Sequence, residues 1–278
     1  MMIKEFFYKK YGTEVTDSIM TASNEVIVES KNSDITKHHL IKKHLIDITV
    51  DLDISPKLID QDVTWGMDFS GWIGSYDSEV GKEYMIIGAE PSISRNYQLV
   101  YGFGNKYNLN IDQTASYHYE KEDDIWSYFT RLLIKENESI RDFLEKCYIT
   151  DLCHIVPQGC GTVESICKKL NITAKEWETF RTSLAKKFLL EEIELVKPKL
   201  LVLHGNVSRD FFKTLLKIKF ESIGKIKNTK YSISKAEWKG IPILSIPHLK
   251  GQVRNKLWKC ADKERFESAK NIVKYNFN

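Results

Sequence analysis

The chain has 278 residues, 42% apolar and 12% aromatic, enough to bury a core as one large domain or a domain with an appendage. With 14 Gly, 6 Pro and 28% charged residues it is neither disordered nor collagen-like. No apolar run approaches the ~20 residues of a membrane helix, and the opening MMIKEFFYKKYG lacks the features of a signal peptide, so a soluble, cytoplasmic protein is expected. The net charge of +3 hides a polarity, because from Lys197 onward 19 Lys and Arg stand against 6 Asp and Glu. A basic third of this kind suits a surface that meets phosphates, and a solvated lysine face gives the same count.

In chain order, residues 34–50 carry Leu40, Ile41, Leu45, Ile46 and Ile48 at mostly helical spacing, with Asp34 or Thr36 as N-cap. Trp65, Phe69, Trp72 and Tyr76 lie among glycines, so 61–80 reads as an aromatic-anchored loop. Residues 1–80 are therefore expected to form a mostly helical N-terminal extension, and 81–278 the domain that carries the chemistry. YMIIG, Tyr84–Gly88, reads as a buried strand delivering a turn. A helix capped by Asp123 or Asp124 is expected to run to about Lys135, and another over 138–146. CYITDL, Cys147–Leu152, is the second strand; Thr173–Val196 is a long amphipathic helix stopped by Pro198. KLLVLHG, Lys199–Gly205, is the third strand, followed by a helix over 207–217. IPILSIPH, Ile241–His248, is the fourth, and a closing helix spans 262–275.

The five cysteines, Cys147, Cys153, Cys160, Cys167 and Cys260, include no pair at the two-residue spacing usual in zinc or iron–sulfur sites. Buried reduced thiols are the ordinary reading, and a cluster assembled from distant cysteines is the other. His38, His39 and His44 lie at helical spacing without visible further ligands and read as surface histidines, so no metal site is expected.

Strands alternating with helices predict an α/β, three-layer fold: a central, mainly parallel four-stranded sheet with helices on both faces. In such sheets the ligand sits outside the carboxyl ends of the strands. That rule selects Glu90, Asp151, His204 and His248, with core packing the other role open to His204.

The four strand ends resemble the uracil-DNA glycosylase superfamily. GAEPS, Gly88–Ser92, is similar to its Gly-x-[Asp/Glu/Asn]-Pro water-activating loop, and YITDLCHIVPQG, Tyr148–Gly159, to the segment with its base-reading asparagine. PKLLVLHGN, Pro198–Asn206, and SIPHLKGQ, Ser245–Gln252, resemble its third strand and its histidine loop, in the family's order. The departures are specific. Ser92 stands where the best-known branch has a tyrosine against base C5, Asp151 replaces the asparagine, and Pro247 precedes His248 instead of following it. No cysteine precedes Gly88, unlike the iron–sulfur branches.

The resemblance implies cleavage of an N-glycosidic bond, which passes through a sugar cation while the leaving base gathers negative charge. Such chemistry calls for an anion with an oriented water, here Glu90, and a donor at the base, here His248. A carboxylate bonding turn amides and a histidine packed at a strand end are the structural alternatives for these two. An ionised carboxylate at Asp151 only accepts hydrogen bonds, so it suits the cytosine amino group and repels the uracil carbonyl. A protonated Asp151 would still read uracil, and a loop-capping Asp would read nothing. Ser92 leaves room at C5, which points to a C5-modified cytosine such as glucosylated hydroxymethylcytosine. Superfamily members resembling this chain act in phage defence, so an antiviral role is implied.

The base must leave the duplex to be read. Gly88 and Ala89 would line the base site, Phe103 in YGFGN would stack on the base, and Tyr101 and Tyr97 are its substitutes. Leu249 is placed to wedge into the emptied stack, with Lys250, Gln252, Arg254 and Lys256 on the DNA beside it. The expected activity is a monofunctional glycosylase without cofactor, acting as a monomer on double- or single-stranded DNA and not on membranes. Repair of uracil or another deaminated base, and a DNA-binding module that has lost catalysis, are the competing readings. An unrelated α/β hydrolase ranks last, because neither a serine nucleophile elbow nor a phosphate-binding glycine loop is present.

Overall fold

The structure is a computed structural model. It describes residues 5, 8–10, 12–14, 17, 44–47, 49, 52, 58, 63, 65–67, 71–72, 82–89, 131–139, 142–143, 146–157, 160, 162–247 and 258–277. Within these, the strands in chain order are β1 (Trp65–Met67), β2 (Gly71–Trp72), β3 (Tyr84–Gly88), β4 (Cys147–Asp151), β5 (Ile155–Pro157), β6 (Leu200–His204), β7 (Glu221–Lys225), β8 (Ser232–Trp238) and β9 (Ile241–Ile246). The helices are α1 (Val163–Leu170), α2 (Ala174–Leu184), α3 (Leu190–Val196), α4 (Asn206–Leu215) and α5 (Trp258–Phe277). Shorter helical pieces lie at 44–47, 131–133 and 142–143. No helix of the described residues is long and apolar enough to cross a membrane.

The chain forms two compact units, one of residues 1–81, 90–109 and 149–196, the other of 82–89, 110–148 and 197–278. The second unit contains the sheet order β4-β3-β6-β9-β8-β7, which β4 enters with Cys147 and Tyr148. β3 and β6 pair in parallel, as do β6 and β9, whereas β9–β8 and β8–β7 are antiparallel. The three parallel strands are apolar runs because both of their faces are covered. Met85, Ile86 and Ile87, Leu201, Val202 and Leu203, and Ile243 and Leu244 all lie at 0–1% exposure. Successive strand residues point to opposite faces, so continuous burial of this kind requires cover on both.

The sheet is therefore mixed, not the mainly parallel four-stranded sheet expected. The difference is the hairpin β7–β8, whose residues ESIGK and SISKAEW lack an apolar run. Each strand is solvated on much of its surface, so its burial pattern alternates weakly and its sequence resembles a loop. A bulge at Ser222/Gly224 interrupts the pairing. A Cβ on Gly224 would come within 2.8 Å of the Ile272 side chain, so the missing side chain lets α5 pack closely on the hairpin.

In the first unit, Thr173 caps α2 by accepting from the Glu176 N–H, while Glu176 accepts from the Thr173 N–H in return. α2 continues through a π-helical turn, Ala185–Leu189, into α3, so the expected single helix contains an insertion. Its apolar side, Trp177, Phe180, Leu184, Leu189 and Ile193, is at most 1% exposed. β1 pairs antiparallel with β5, and β2 neighbours β4, where the sequence alone suggested an aromatic loop. Short strands of two or three residues leave no periodicity to read.

This unit also buries charge. The Lys10 ammonium lies 2.5 Å from Glu192 with both side chains almost inaccessible, and the Thr150 hydroxyl donates to the second Glu192 oxygen at 3.1 Å. Beside them the His44 and His154 rings pack at a tilt of 43° with centroids 5.8 Å apart, and His154 meets the Phe188 ring edge-on at 5.2 Å. His44 is thus a core residue, contrary to the surface position expected. Burial, with the Lys10 and Lys187 charges, pulls His44 down to about 3, and burial followed by the Lys10 charge pulls His154 well below the usual range.

Removing one partner of a buried ion pair strands the other. Glu192→Ala should therefore lower unfolding free energy by about 3–5 kcal/mol in urea titrations, whereas replacing Lys10 and Glu192 together by methionine should recover most of that loss. Both histidines fold as neutral rings and charge in the unfolded chain. Their stabilisation is complete above the ordinary histidine value and is lost as pH falls below about 6.5, with a slope of about 1.4 kcal/mol per pH unit for each ring that titrates only when unfolded. Urea midpoints measured from pH 7 to pH 4 should fall steeply for the native chain and less steeply for His154→Phe.

Candidate active site

The register aligns the carboxyl ends of the parallel strands. Ile87 pairs with Leu203, which sets Gly88 beside His204, and His204 pairs with Ile246. The Gly205 N–H donates to the Ile246 carbonyl at 2.8 Å, tying the turn after β6 to the end of β9. Gly205 holds φ 95°, a conformation that favours glycine, and α4 begins at the next residue. The buried Ser208 hydroxyl donates back to the His204 carbonyl at 3.4 Å. Pro247 is buried as the chain leaves β9 toward His248.

The other end of the sheet is fixed separately. The amides of Lys199 and Leu200 both donate to the Glu83 carbonyl, and the Tyr84 amide donates to the Lys146 carbonyl at 3.0 Å. β3, β4 and β6 therefore begin together. A rigid three-strand platform with aligned ends is the geometry that delivers loops to one place.

Of the residues selected from the sequence, Gly88, Ala89, Asp151 and His204 are described. Gly88 and His204 are brought side by side, both buried, and Ala89 is half-buried just beyond. His204 is 8% exposed, which fits the packing role left open for it. Glu90, Ser92, Tyr97, Tyr101, Phe103, His248, Leu249, Lys250, Gln252, Arg254 and Lys256 lie outside the described residues.

Asp151 belongs to the first unit and is the last residue of β4, half-buried. The segment after it is firmly held. Leu152, Cys153 and His154 are all at most 3% exposed, and the Cys153 thiol donates to the Ile155 carbonyl at 3.0 Å. β5 then pairs with Trp65–Met67. One residue before Asp151, Thr150 is bound to Glu192, so the carboxylate stands between two anchored segments. Sequence reasoning missed this Lys10–Glu192–Thr150 anchor, because nothing in the spacing of residues 10, 150 and 192 connects them.

Cys147, Cys153 and Cys160 are buried and Cys167 is half-buried, with no disulfide among them. Burial pushes the Cys147 thiol well up, which makes it an inert core group, not a nucleophile. Among the described residues no three His, Cys, Asp or Glu side chains are grouped to hold a metal ion.

No curated protein sequence matches the chain. The family model of the uracil DNA glycosylase superfamily matches residues 76–272, a span that holds the whole parallel platform, the Asp151 strand and the greater part of α5. The chain therefore belongs to the uracil DNA glycosylase superfamily, whose members bind DNA and hydrolyse the bond between base and sugar.

Proposed function

We propose that the protein is a monofunctional DNA glycosylase that removes a C5-modified cytosine, such as glucosylated hydroxymethylcytosine, and leaves an abasic site. Within this superfamily the reading is carried by one observation, a carboxylate, Asp151, at the end of β4 in the segment that resembles the family's base-reading one. Its neighbours are anchored on both sides, so it is a suitable reader. Ser92, small where a tyrosine would close the site against C5, supports the modified base.

In this mechanism the target nucleotide leaves the stack and Phe103 packs on its ring. Asp151 accepts from the exocyclic amino group. The glycosidic bond breaks with its electron pair passing to the base, and His248 donates a hydrogen bond to the base carbonyl where negative charge gathers. Glu90 orients a water whose oxygen bonds to C1′ of the sugar cation; the water loses a proton to solvent, and the departing base anion takes one up from solvent. The products are the free base and a hydroxyl at C1′. The two groups assigned to the bond-breaking step, Glu90 and His248, are not amines, so this mechanism is hydrolytic and runs without a Schiff-base intermediate.

Gly88 and Ala89 give the base close access to the backbone, and Leu249 fills its place in the duplex. Lys250, Gln252, Arg254 and Lys256 bind the flanking strand. In this reading residues 81–278 carry the chemistry, residues 1–80 are an extension, and the protein works as a cytoplasmic monomer in defence against viruses with modified DNA.

The test uses DNAs containing uracil, plain cytosine or glucosylated hydroxymethylcytosine, with released bases identified by mass spectrometry. Only the modified cytosine should be released, and Glu90→Gln should cut turnover by about 10²–10⁴-fold while DNA binding persists. Asp151→Asn should move preference toward uracil by about 1–3 kcal/mol, or roughly 5–150-fold. Release of uracil by the native chain would make it a repair enzyme, and binding without any release would make it a module without catalysis.

A further inference from the structure

The hairpin β7–β8 belongs to none of the family motifs, yet its register puts its tip at the active-site end of the sheet. Ser234 of β8 pairs with Ser245 near the end of β9, and Ser232 pairs with Lys225 at the end of β7. β8 runs against β9, so the turn over 226–231 stands at the end where Gly88, His204 and Ile246 terminate. The sheet order separates β3 from the hairpin by three to four strand positions, or about 14–19 Å at ~4.8 Å per strand. Along a duplex axis that distance is about four to six base pairs at ~3.4 Å each.

The tip is a concavity lined by Lys225, Ile226, Lys227, Asn228, Thr229 and Lys230. Its three lysines are exposed. Lys225 and Lys230 have no carboxylate within ion-pair distance among the described residues, and Lys230 lies over the Tyr231 ring at 5.7 Å. Lys227 pairs with Glu264 at 3.2 Å, and Asn228 donates to the same carboxylate at 3.5 Å. From Lys213 to Lys239 there are eight lysines against Glu221 and Glu237 alone. Both glutamates are on the strands, Glu221 opposite Lys235, and neither is in the tip.

The tip is also preformed. The Ile226 amide donates to the Tyr231 carbonyl, the Thr229 amide to the Ile226 carbonyl, and the Tyr231 amide to the Thr229 hydroxyl. Asn228 adopts the left-handed conformation at φ 57° that closes the turn. Outside the hairpin, the Lys227 amide donates to the Ser268 hydroxyl of α5 at 3.1 Å, and Gly224 lets α5 approach. A fixed backbone carrying mobile ammonium groups suits phosphates, which need charge more than directional reading.

We propose that the hairpin Lys225–Tyr231 is a second DNA-binding site that grips backbone phosphates of duplex about four to six base pairs from the base being excised. This rests on the glycosylase reading above for where the excised base lies, and it adds a phosphate grip outside the loops assigned to DNA there. The hairpin contributes affinity without base preference, and holds the duplex while a nucleotide is flipped.

The experiment measures binding of unmodified duplex by fluorescence anisotropy between 50 and 200 mM salt, so that no base excision is needed. The variants are Lys225→Gln/Lys227→Gln/Lys230→Gln and a charge-matched control, Lys168→Gln/Lys175→Gln/Lys186→Gln, taken from exposed positions of the first unit. The hairpin variant should reduce the slope of log K against log salt by about 0.9 for each phosphate that is no longer neutralised, up to about 2.7 for three. The control should leave the slope unchanged. In a Glu90→Gln background, which binds without excising, a duplex with one glucosylated hydroxymethylcytosine should bind more weakly when one flank is cut to three base pairs, and adding the hairpin substitutions should remove that dependence on flank length. Equal losses in the hairpin variant and the control, or an unchanged slope in the hairpin variant, would overturn the proposal. If the native chain binds no DNA at all, the proposal falls together with the glycosylase reading, and this result is distinct from either of the others.

Discussion

The constraint on which the rest depends is the parallel register of β3, β6 and β9. These strands are buried on both faces, so a slip by one residue would cost little in hydrophobicity yet would misplace every loop attached to them. Register is instead set at the ends. At one end Glu83, Lys199 and Leu200 share a carbonyl, and at the other Gly205 reaches Ile246. A glycine at φ 95° allows the chain to turn from β6 into α4 within one residue while making that bond. The strands that lead to Glu90 and His248, β3 and β9, therefore end in line on either side of β6.

A second, independent constraint operates behind Asp151. A lysine and a glutamate taken wholly out of water gain stability only if each finds its partner with good geometry. Here the segment around Lys10, α3 and the middle of β4 are joined by one ammonium, one carboxylate and one hydroxyl. Two neutral histidines and Phe188 complete the enclosure. Such an arrangement gives little net stability over an apolar core, but moving any one of the three segments away would leave a buried charge unpaired. Specific placement is what a hydrogen-bonding reader needs, since an acceptor displaced by an ångström no longer meets its donor.

The legible part of the fold was the part buried on both sides. YMIIG, LLVLH and IPILSI announce themselves as continuous apolar runs, and Thr173 with Glu176 marks the start of a helix. The hairpin β7–β8 was illegible because solvated strands at a sheet edge are free to be polar, and lysines there also discourage edge pairing. β1 and β5 were too short to show alternation, and the π-helical turn in the long helix leaves no mark on its composition. At the strand ends, His204 was selected by topology and Gly88 by the family resemblance, whereas their adjacency is a matter of register that no sequence pattern reveals. The burial of His44 did not follow, because helical spacing with His38 and His39 says nothing about which side faces a core.

The hairpin also changes the meaning of the charge polarity. An excess of lysine over the last third of a chain is ambiguous, since solvated faces and phosphate-binding faces have the same composition. Position separates the two. Lysines scattered evenly would place charge at both ends of the sheet, and those at the strand-start end do exist, as Lys199 beside Glu83 shows. That lysine is paired across β3 and β6, whereas Lys225 and Lys230 stand at the opposite end with no carboxylate within ion-pair distance among the described residues. Glu264, the carboxylate bonded to the tip, is committed to Lys227 and Asn228. Two of the three lysines at the tip therefore keep their charge available where the parallel strands end. For a member of a superfamily that binds DNA, that placement is informative in a way the total of +3 is not.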